Sequence, residues 1–255
     1  LQSNDPKLFM NVPNILRCSV VIPVYNRVEL LIKALHSICR QSIPHTEFEV
    51  FVCDDGSTED LASAIKIFEG SALNLRILRQ NNRGPAAARN LGIANSTSGV
   101  VIFVDSDVIL GHCALESLLQ ALEENPNWTG SEAKLVPVDG EASPNWDAPR
   151  SEGGHYHTAG LAIRRSALLT VGGMDENYGR AACEDVELAT RILRLGNIGY
   201  VEKAEIYHPR RYRTVTSSWK SRKNWRYVMY LAATHGFLAW PDNVTRYPRL
   251  RTAIA

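Results

Sequence analysis

The chain has 255 residues, 45% of them hydrophobic, enough to bury the core of one large domain without requiring a second. Its 28 Lys and Arg against 27 Asp and Glu leave a formal net charge of +1, so no global field advertises nucleic acid, although basic residues crowd into the last fifth. The five cysteines (Cys18, Cys39, Cys53, Cys113 and Cys183) are odd in number and lack any CxxC spacing, which argues against structural zinc and suits buried thiols in a reducing cytoplasm. No charged-then-apolar leader opens the sequence, and its C-terminal apolar stretch, interrupted by His235, falls short of the ~20 residues of a membrane span. The expectation is a cytoplasmic protein, soluble or peripheral to the inner face of the cell membrane.

CSVVIPVYN is a short continuous apolar run that reads as a buried strand entering a loop. Val28, Leu31, Ile32, Leu35, Ile38 and Cys39 then recur at helical spacing, and the segment from Gln41 to Pro44 ends that pattern before a second strand, FEVFVCDDG. Ser57 and Thr58 offer caps to a helix carrying Leu61, Ile65 and Phe68, and LNLRILRQ returns as a third strand. In NNRGPAAARNLGIANS, Gly84 permits a turn, Pro85 suits the first helical position, and three alanines propagate a closely packed helix toward a fourth strand, VVIFVDSD. A helix with Leu115, Leu118, Leu119 and Leu122 closes this half near Asn125 and Pro126. Strands separated by helices predict a mainly parallel α/β sheet covered on both faces, which binds ligands outside the carboxyl ends of its strands.

From Trp128 to Tyr156 the periodicity weakens into a Gly-, Pro-, Ser- and Asp-rich stretch ending in EGGHYHTAG, the composition of loops with some short strands. Regular structure resumes in AGLAIRRSALLTVGGMDE. A helix follows in EDVELATRILRLG, with Val186, Ala189, Ile192 and Leu193 on its inward stripe, and IGYVEKAEIYHP reads as the last strand. The tail beyond it mixes Arg and Lys with Trp219, Trp225, Tyr227, Tyr230, Phe237 and Trp240. It suits either an anionic membrane surface, with the aromatics at the interface, or a terminal helix packed across the domain.

Three strands end in polar residues able to face a ligand: Tyr25 and Asn26, Asp54 and Asp55, Asp105 and Asp107. On an extended strand residues two apart share a face, so Asp105 and Asp107 are expected to point the same way and to hold one hard cation beside a diphosphate. IPVYNR, DDGSTED, NRGPAAARNLG, FVDSD, VGGMDE and EDVELATRILRLG occur in one order between about Ser19 and His208, and the set resembles the family 2 inverting glycosyltransferases of the GT-A fold, enzymes of bacterial polysaccharide synthesis among them.

That resemblance implies a single GT-A catalytic domain over 15–210, with a nucleotide-binding half at 15–127 and an acceptor-binding half at 128–210, and a basic aromatic helical tail at 211–255. It implies transfer of a sugar from a nucleoside diphosphate donor, a uridine nucleotide, to the hydroxyl of a glycan or lipid-linked acceptor with Mn²⁺ or Mg²⁺. Asp107 would be a metal ligand, and Asp105 would contact ribose or share the cation through water. His208 would be a third ligand, against the alternative of a half-buried histidine with an ordinary hydrogen bond. Pro23, Tyr25 and Asn26 would border the nucleotide, Asp55 would accept from uracil, and Arg83 would lie near the base or diphosphate.

Asp185 would take the acceptor proton, while Glu184, Gly173 and Asp175 would lie on the acceptor side; the alternative for Glu184 and Asp185 is simple compensation of a helix dipole. Asp54 reads as a turn cap and Arg89 as a bridge from its helix to an acidic neighbour. His155 and His157 orient substrate or face solvent. Two other functions compete: sugar-phosphate nucleotidyltransfer, which also uses a parallel sheet and a metal, and a catalytically silent nucleotide-sugar binding module.

Overall fold

The computed structural model describes residues 16–138, 146–147, 152–212 and 225–235. In chain order the first half comprises β1 (Cys18–Val24), α1 (Val28–Ile38), β2 (Phe48–Asp54), the short α2 (Leu61–Ala64), β3 (Asn74–Arg79), α3 (Pro85–Asn95), β4 (Val100–Phe103), a two-residue β5 (Ile109–Leu110) and α4 (Ala114–Glu124). The second half follows with β6 (Trp128–Val138), β7 (Trp146–Asp147), β8 (Leu161–Arg164), α5 (Arg165–Val171), α6 (Glu184–Ile192), β9 (Asn197–Pro209), β10 (Arg211–Tyr212) and α7 (Trp225–His235).

Eight strands form one sheet in the order β3-β2-β1-β4-β8-β6-β9-β5, and β7 pairs with β10 apart from it. The first four strands are mutually parallel, as their alternation with helices requires; β8 then runs antiparallel to both β4 and β6, β9 is parallel to β6, and β5 is antiparallel to β9. The sheet is therefore parallel from β1 to β4 and mixed beyond them.

The continuous apolar runs of β1, β2 and β4 have a direct cause: both faces of these strands are buried. Val20, Ile22, Val50, Val52 and Ile102 pack on one face with Leu31 and Leu35 of α1 and Leu115 and Leu118 of α4. Val21, Phe51, Cys53, Val101 and Phe103 pack on the other with Ala86 and Ala88 of α3, Leu168 of α5 and Leu188 of α6. The helix expected from Ser57 or Thr58 starts later, with Asp60 as its cap accepting from Ser63 N at 3.0 Å, and tightens into a 3₁₀ turn over Ile65–Phe68.

The largest departure from the sequence pattern is β6, an eleven-residue strand in a stretch that reads as loops with some short strands. Lys134 and Glu132 break the apolar run of WTGSEAKLVPV, yet ladders to β8 on one side and β9 on the other satisfy its backbone. Of the two readings of the tail, α7 follows the packed one. Tyr227 and Leu231 are buried against Tyr178 and Cys183, and Tyr227 stacks on Tyr178 at 5.5 Å between centroids. Trp219, Phe237 and Trp240 lie outside the described residues. Among the described residues no helix is long and apolar enough to cross a membrane.

Close approach of α3 to the sheet fixes Gly92, where an added Cβ would lie 2.4 Å from Val21 Cγ1 and 3.0 Å from Cys53 Sγ. Alanine would gain ~1 kcal/mol of helix propensity against an overpacking cost of ~1–3 kcal/mol in a core without slack. Gly92→Ala is thus expected to lower the urea midpoint of unfolding; a raised midpoint would show that α3 yields at no cost.

Candidate active site

Strand register decides where the loops open. Val24 pairs with Asp54, Asp54 with Arg79, and Val21 with Phe103, so the carboxyl ends of β1 to β4 reach one edge of the sheet. At that edge Asp54 accepts from Ser57 N at 2.8 Å and from Arg79 at 2.7 Å, so it caps the turn after β2. Asp55 is also buried, and it accepts from Gln80 Nε2, Arg83 N and Gly84 N, each at 2.8 Å. Its carboxylate thereby ties the 80–84 loop to β2. Gly84 sits at φ +94 where a Cβ would meet the Gly179 carbonyl at 2.7 Å, so only glycine lets this loop touch the segment ahead of α6.

Asn26 occupies the left-handed region at φ 50, and its Oδ1 accepts from Thr58 N at 2.8 Å, pinning the end of β1 to the loop after β2. Pro23 is partly buried and Tyr25 is 48% exposed on the same rim. The Arg83 side chain is exposed and reaches Glu176.

β4 ends at Phe103, so Asp105 and Asp107 lie in the following turn and not on an extended strand; the alternation expected for them is corrected. The turn and the pairing of Ile109 with Tyr207 nevertheless bring donor atoms of Asp105, Asp107 and His208 all within 4.8 Å of one another. His208 Nδ1 lies 2.8 Å from its neighbouring carbonyl, Pro209 O. A carbonyl only accepts, so the ring proton sits on Nδ1 and Nε2 keeps the lone pair. Two carboxylates and an imidazole are a donor set that suits Mn²⁺, and the carboxylates alone suit Mg²⁺. Arg27 donates to Asp107 at 2.7 Å and already places a positive charge against this set.

Behind Asp105 lies Arg89, 4% exposed, whose guanidinium donates to Asp105 at 2.8 Å and to Glu184 at 3.2 Å. The acidic neighbours it bridges are two of the residues singled out by the sequence. Glu184 is buried, with its carboxylate toward Arg89. Asp185, 14% exposed, has its Oδ2 at 3.6 Å from His157 Nδ1. Gly172 and Gly173 form the left-handed turn after α5. Asn90 of α3 pins that turn, accepting from Met174 N at 2.8 Å and donating to Met174 O at 2.9 Å. Asp175 accepts from Tyr230 of α7 at 2.9 Å.

Three residues of the site escaped the sequence reading. Arg27 and Asn90 carried no signal beyond membership of the quoted motifs. Glu132 sat in the unrecognised β6, and it accepts backbone hydrogen bonds from Gly154 at 2.7 Å, from His155 at 3.1 Å and from Tyr156. That clamp buries His155 and leaves His157 only 15% exposed, so neither histidine faces solvent as one reading allowed.

Residues 19–134 match the family model described as glycosyl transferase family 2. An uncharacterized glycosyltransferase of Rickettsia bellii is 40% identical over 125 residues, covering 49% of this chain and 18% of that protein. The poly(ribitol-phosphate) beta-N-acetylglucosaminyltransferase TarS of Staphylococcus aureus is 32% identical over 112 residues, 43% of this chain and 19% of that protein. The structure of TarS 1–349 in complex with UDP-GlcNAc superposes with a TM-score of 0.66 at 24% identity, covering 80% of this chain and 61% of that one. The mannosyltransferase PcManGT of Pyrobaculum calidifontis, in complex with GDP-Man and Mn²⁺, gives 0.60 at 20% identity over 76% of this chain and 57% of that one. These likenesses establish the fold as GT-A. The chain matches less than a fifth of the length of these curated relatives.

Burial pushes the Glu184 carboxyl up to about 7, the charge of Asp185 pushes it the same way, and Arg89 opposes both. An acid whose folded value lies above its ordinary 4.5 contributes stability that is complete below that value and lost as the pH rises to about 7. Glu184→Gln keeps an acceptor for Arg89 but cannot titrate. Its urea stability is expected to fall less than that of the wild type when the pH is raised across this window, and equal falls would return Glu184 to the ordinary carboxylate range.

Proposed function

We propose, from the glycosyl transferase family 2 domain that the chain carries, that residues 15–210 form the donor-binding and catalytic unit of an inverting glycosyltransferase. It moves a sugar from a nucleoside diphosphate donor, a uridine nucleotide, to a hydroxyl of a glycan or lipid-linked acceptor. The observation that carries this reading is the convergence of the Asp105, Asp107 and His208 donor set with the start of α6, where the buried Arg89 bridges Asp105 to Glu184, the neighbour of Asp185.

Asp107 and His208, with Asp105 beside them, would hold a Mn²⁺ or Mg²⁺ ion. Such an ion supplies neutralisation of the charge that develops on the departing diphosphate. Asp105 also reaches ribose in this reading. Pro23, Tyr25 and Asn26 border the nucleotide, Asp55 and the 80–84 loop it holds form the base side, and Arg83 lies toward the diphosphate. Asp185, at the start of α6, takes the acceptor hydroxyl proton while the hydroxyl oxygen bonds to the anomeric carbon and the bond from that carbon to the diphosphate oxygen breaks. One in-line displacement inverts the anomeric centre, and no covalent enzyme nucleophile is required. Glu184, Gly173 and Asp175 shape the acceptor side through Arg89, Asn90 and Tyr230. The donors named for two neighbours of the same fold, UDP-GlcNAc and GDP-Man, carry different bases. Asp55 as acceptor for a ring N–H disfavours adenine but accepts uracil or guanine alike, so the uridine assignment rests on the family resemblance.

A panel of uridine, guanosine and thymidine diphosphate sugars with Mn²⁺ tests the reading by following the released nucleotide. Release of UDP from one donor is expected, with Asp107→Ala slower by about 10²- to 10³-fold, the scale of losing one transition-state charge partner. Pyrophosphate in place of UDP would shift the assignment to nucleotidyltransfer, and tight donor binding without any release would favour a silent binding module.

A further inference from the structure

The proposed reaction leaves His157 without a part, although the fold invests heavily in placing it. Glu132, 4% exposed on β6, gathers the backbone N–H groups of Gly154, His155 and Tyr156 on one carboxylate. Gly153 and Gly154 take φ of +79 and +74, and Tyr156, a residue with a Cβ, is held at φ 53. A non-glycine residue in that region costs ~1–3 kcal/mol, so the clamp over-determines the backbone that enters His157. On the side-chain side, the buried His155 ring stacks on the His157 ring at 5.8 Å between centroids and 29° between planes. Burying an imidazole this far is unfavourable unless a nitrogen finds a polar partner, and Nδ1 lies 3.6 Å from Asp185 Oδ2.

Asp185 needs such a neighbour. A carboxylate that is to remove a proton has to present one oxygen to the acceptor and hold it there. Oδ1 of Asp185 accepts from Val186 N at 2.9 Å, and Oδ2 lies 3.6 Å from His157 Nδ1, within ion-pair reach but longer than a hydrogen bond, so the ring limits the rotation of the carboxylate and leaves Oδ2 able to meet an acceptor. Glu184, the adjacent acid, turns away to Arg89 and cannot share that role.

We propose that His157 is a positioning residue that orients the Asp185 carboxylate toward the acceptor hydroxyl, and that the Glu132 clamp on residues 154–156 fixes His157 for this purpose. The inference rests on Asp185 as the base. His157 itself takes no proton from substrate; its ring sets the rotation of the carboxylate that does.

Two readouts test it, the first without any substrate. In a ¹⁵N spectrum of the histidine side chains, His157 is expected to carry its proton on Nδ1 in the wild type and to shift toward the Nε2-protonated form in Asp185→Ala; identical His157 shifts in the two proteins would overturn the proposal. The second is the rate of UDP release from UDP-GlcNAc, or of GDP from GDP-mannose, with Mn²⁺ and water as acceptor, beside calorimetric affinity for the free nucleotide. His157→Leu is expected to slow release by about 10- to 100-fold, the scale on which partners of functional ligands act, with nucleotide affinity unchanged.

His157→Asn, which keeps a donor at the Nδ1 position, should recover part of the rate, and His157→Leu combined with Asp185→Asn should be no slower than Asp185→Asn alone. A full rate in His157→Leu beside a dead Asp185→Asn would remove His157 and leave the base in place. A full rate in Asp185→Asn would remove both.

Discussion

A single buried guanidinium holds the two halves of this site together. Arg89 sits at 4% exposure between Asp105, in the turn after β4, and Glu184, at the start of α6. A charge so far from water is tolerated only when paired and hydrogen-bonded, and the same holds for the buried Glu184. Remove the cation and the buried Glu184 carboxylate is left beside Asp185, and the partly exposed Asp105 near both, with nothing to offset them. Burial is the largest single influence on Arg89 and disfavours its charge, but the acids around it, Asp105 first and Glu184 next, together hold the guanidinium above its ordinary range. The interaction therefore fixes geometry as well as charge. It sets how far α6 stands from the turn after β4, and every candidate role for Asp185, Asp105 and Asp107 depends on that spacing.

Around this pair the backbone leaves its ordinary regions at three non-glycine positions among the described residues, Asn26, Tyr156 and Cys183. Each adjoins a candidate functional group: Asn26 follows β1 at the carboxyl edge of the sheet, Tyr156 precedes His157, and Cys183 precedes Glu184 and Asp185. Such conformations persist only where surroundings enforce them. The enforcement differs in each case. Asn26 is held by hydrogen bonds to the loop after β2, Tyr156 by the Glu132 carboxylate, and Cys183 by apolar packing against Tyr178, Tyr227 and Leu231. The last of these gives α7 a function within the fold. Through Tyr230 on Asp175 and His235 on Glu187 it braces both the turn that leads to α6 and α6 itself.

The first four strands and the helices between them were legible because their residues answer to local rules. Continuous apolar runs mark strands buried on both faces, and Pro85 after Gly84 marks a helix start. β6 was not legible, because its character comes from pairing with β8 and β9 and not from its own alternation. With β6 hidden, Glu132 carried no meaning, and the histidines it organises were left between orienting substrate and facing solvent. The same limit shows at Asp105 and Asp107. Their nearness was anticipated, but from an extended strand, whereas a turn and the two-residue β5 bring them to His208.

What the sequence by itself determined is the α/β alternation, the family resemblance carried by six ordered motifs, and the residue types capable of the chemistry. Those are properties of short windows, where spacing along the chain and side-chain character suffice. Tertiary structure alone decided which acids face one another, because Asp105 and Glu184 meet Arg89, and Asp185 meets His157, across sequence separations that no local period encodes. It also decided that Asp55 binds the 80–84 loop and that Tyr227 and Tyr230 turn toward the domain. The physical reason is the same in each case: burial couples polar groups to whichever partners the packing leaves within reach, and packing is a property of the whole sheet.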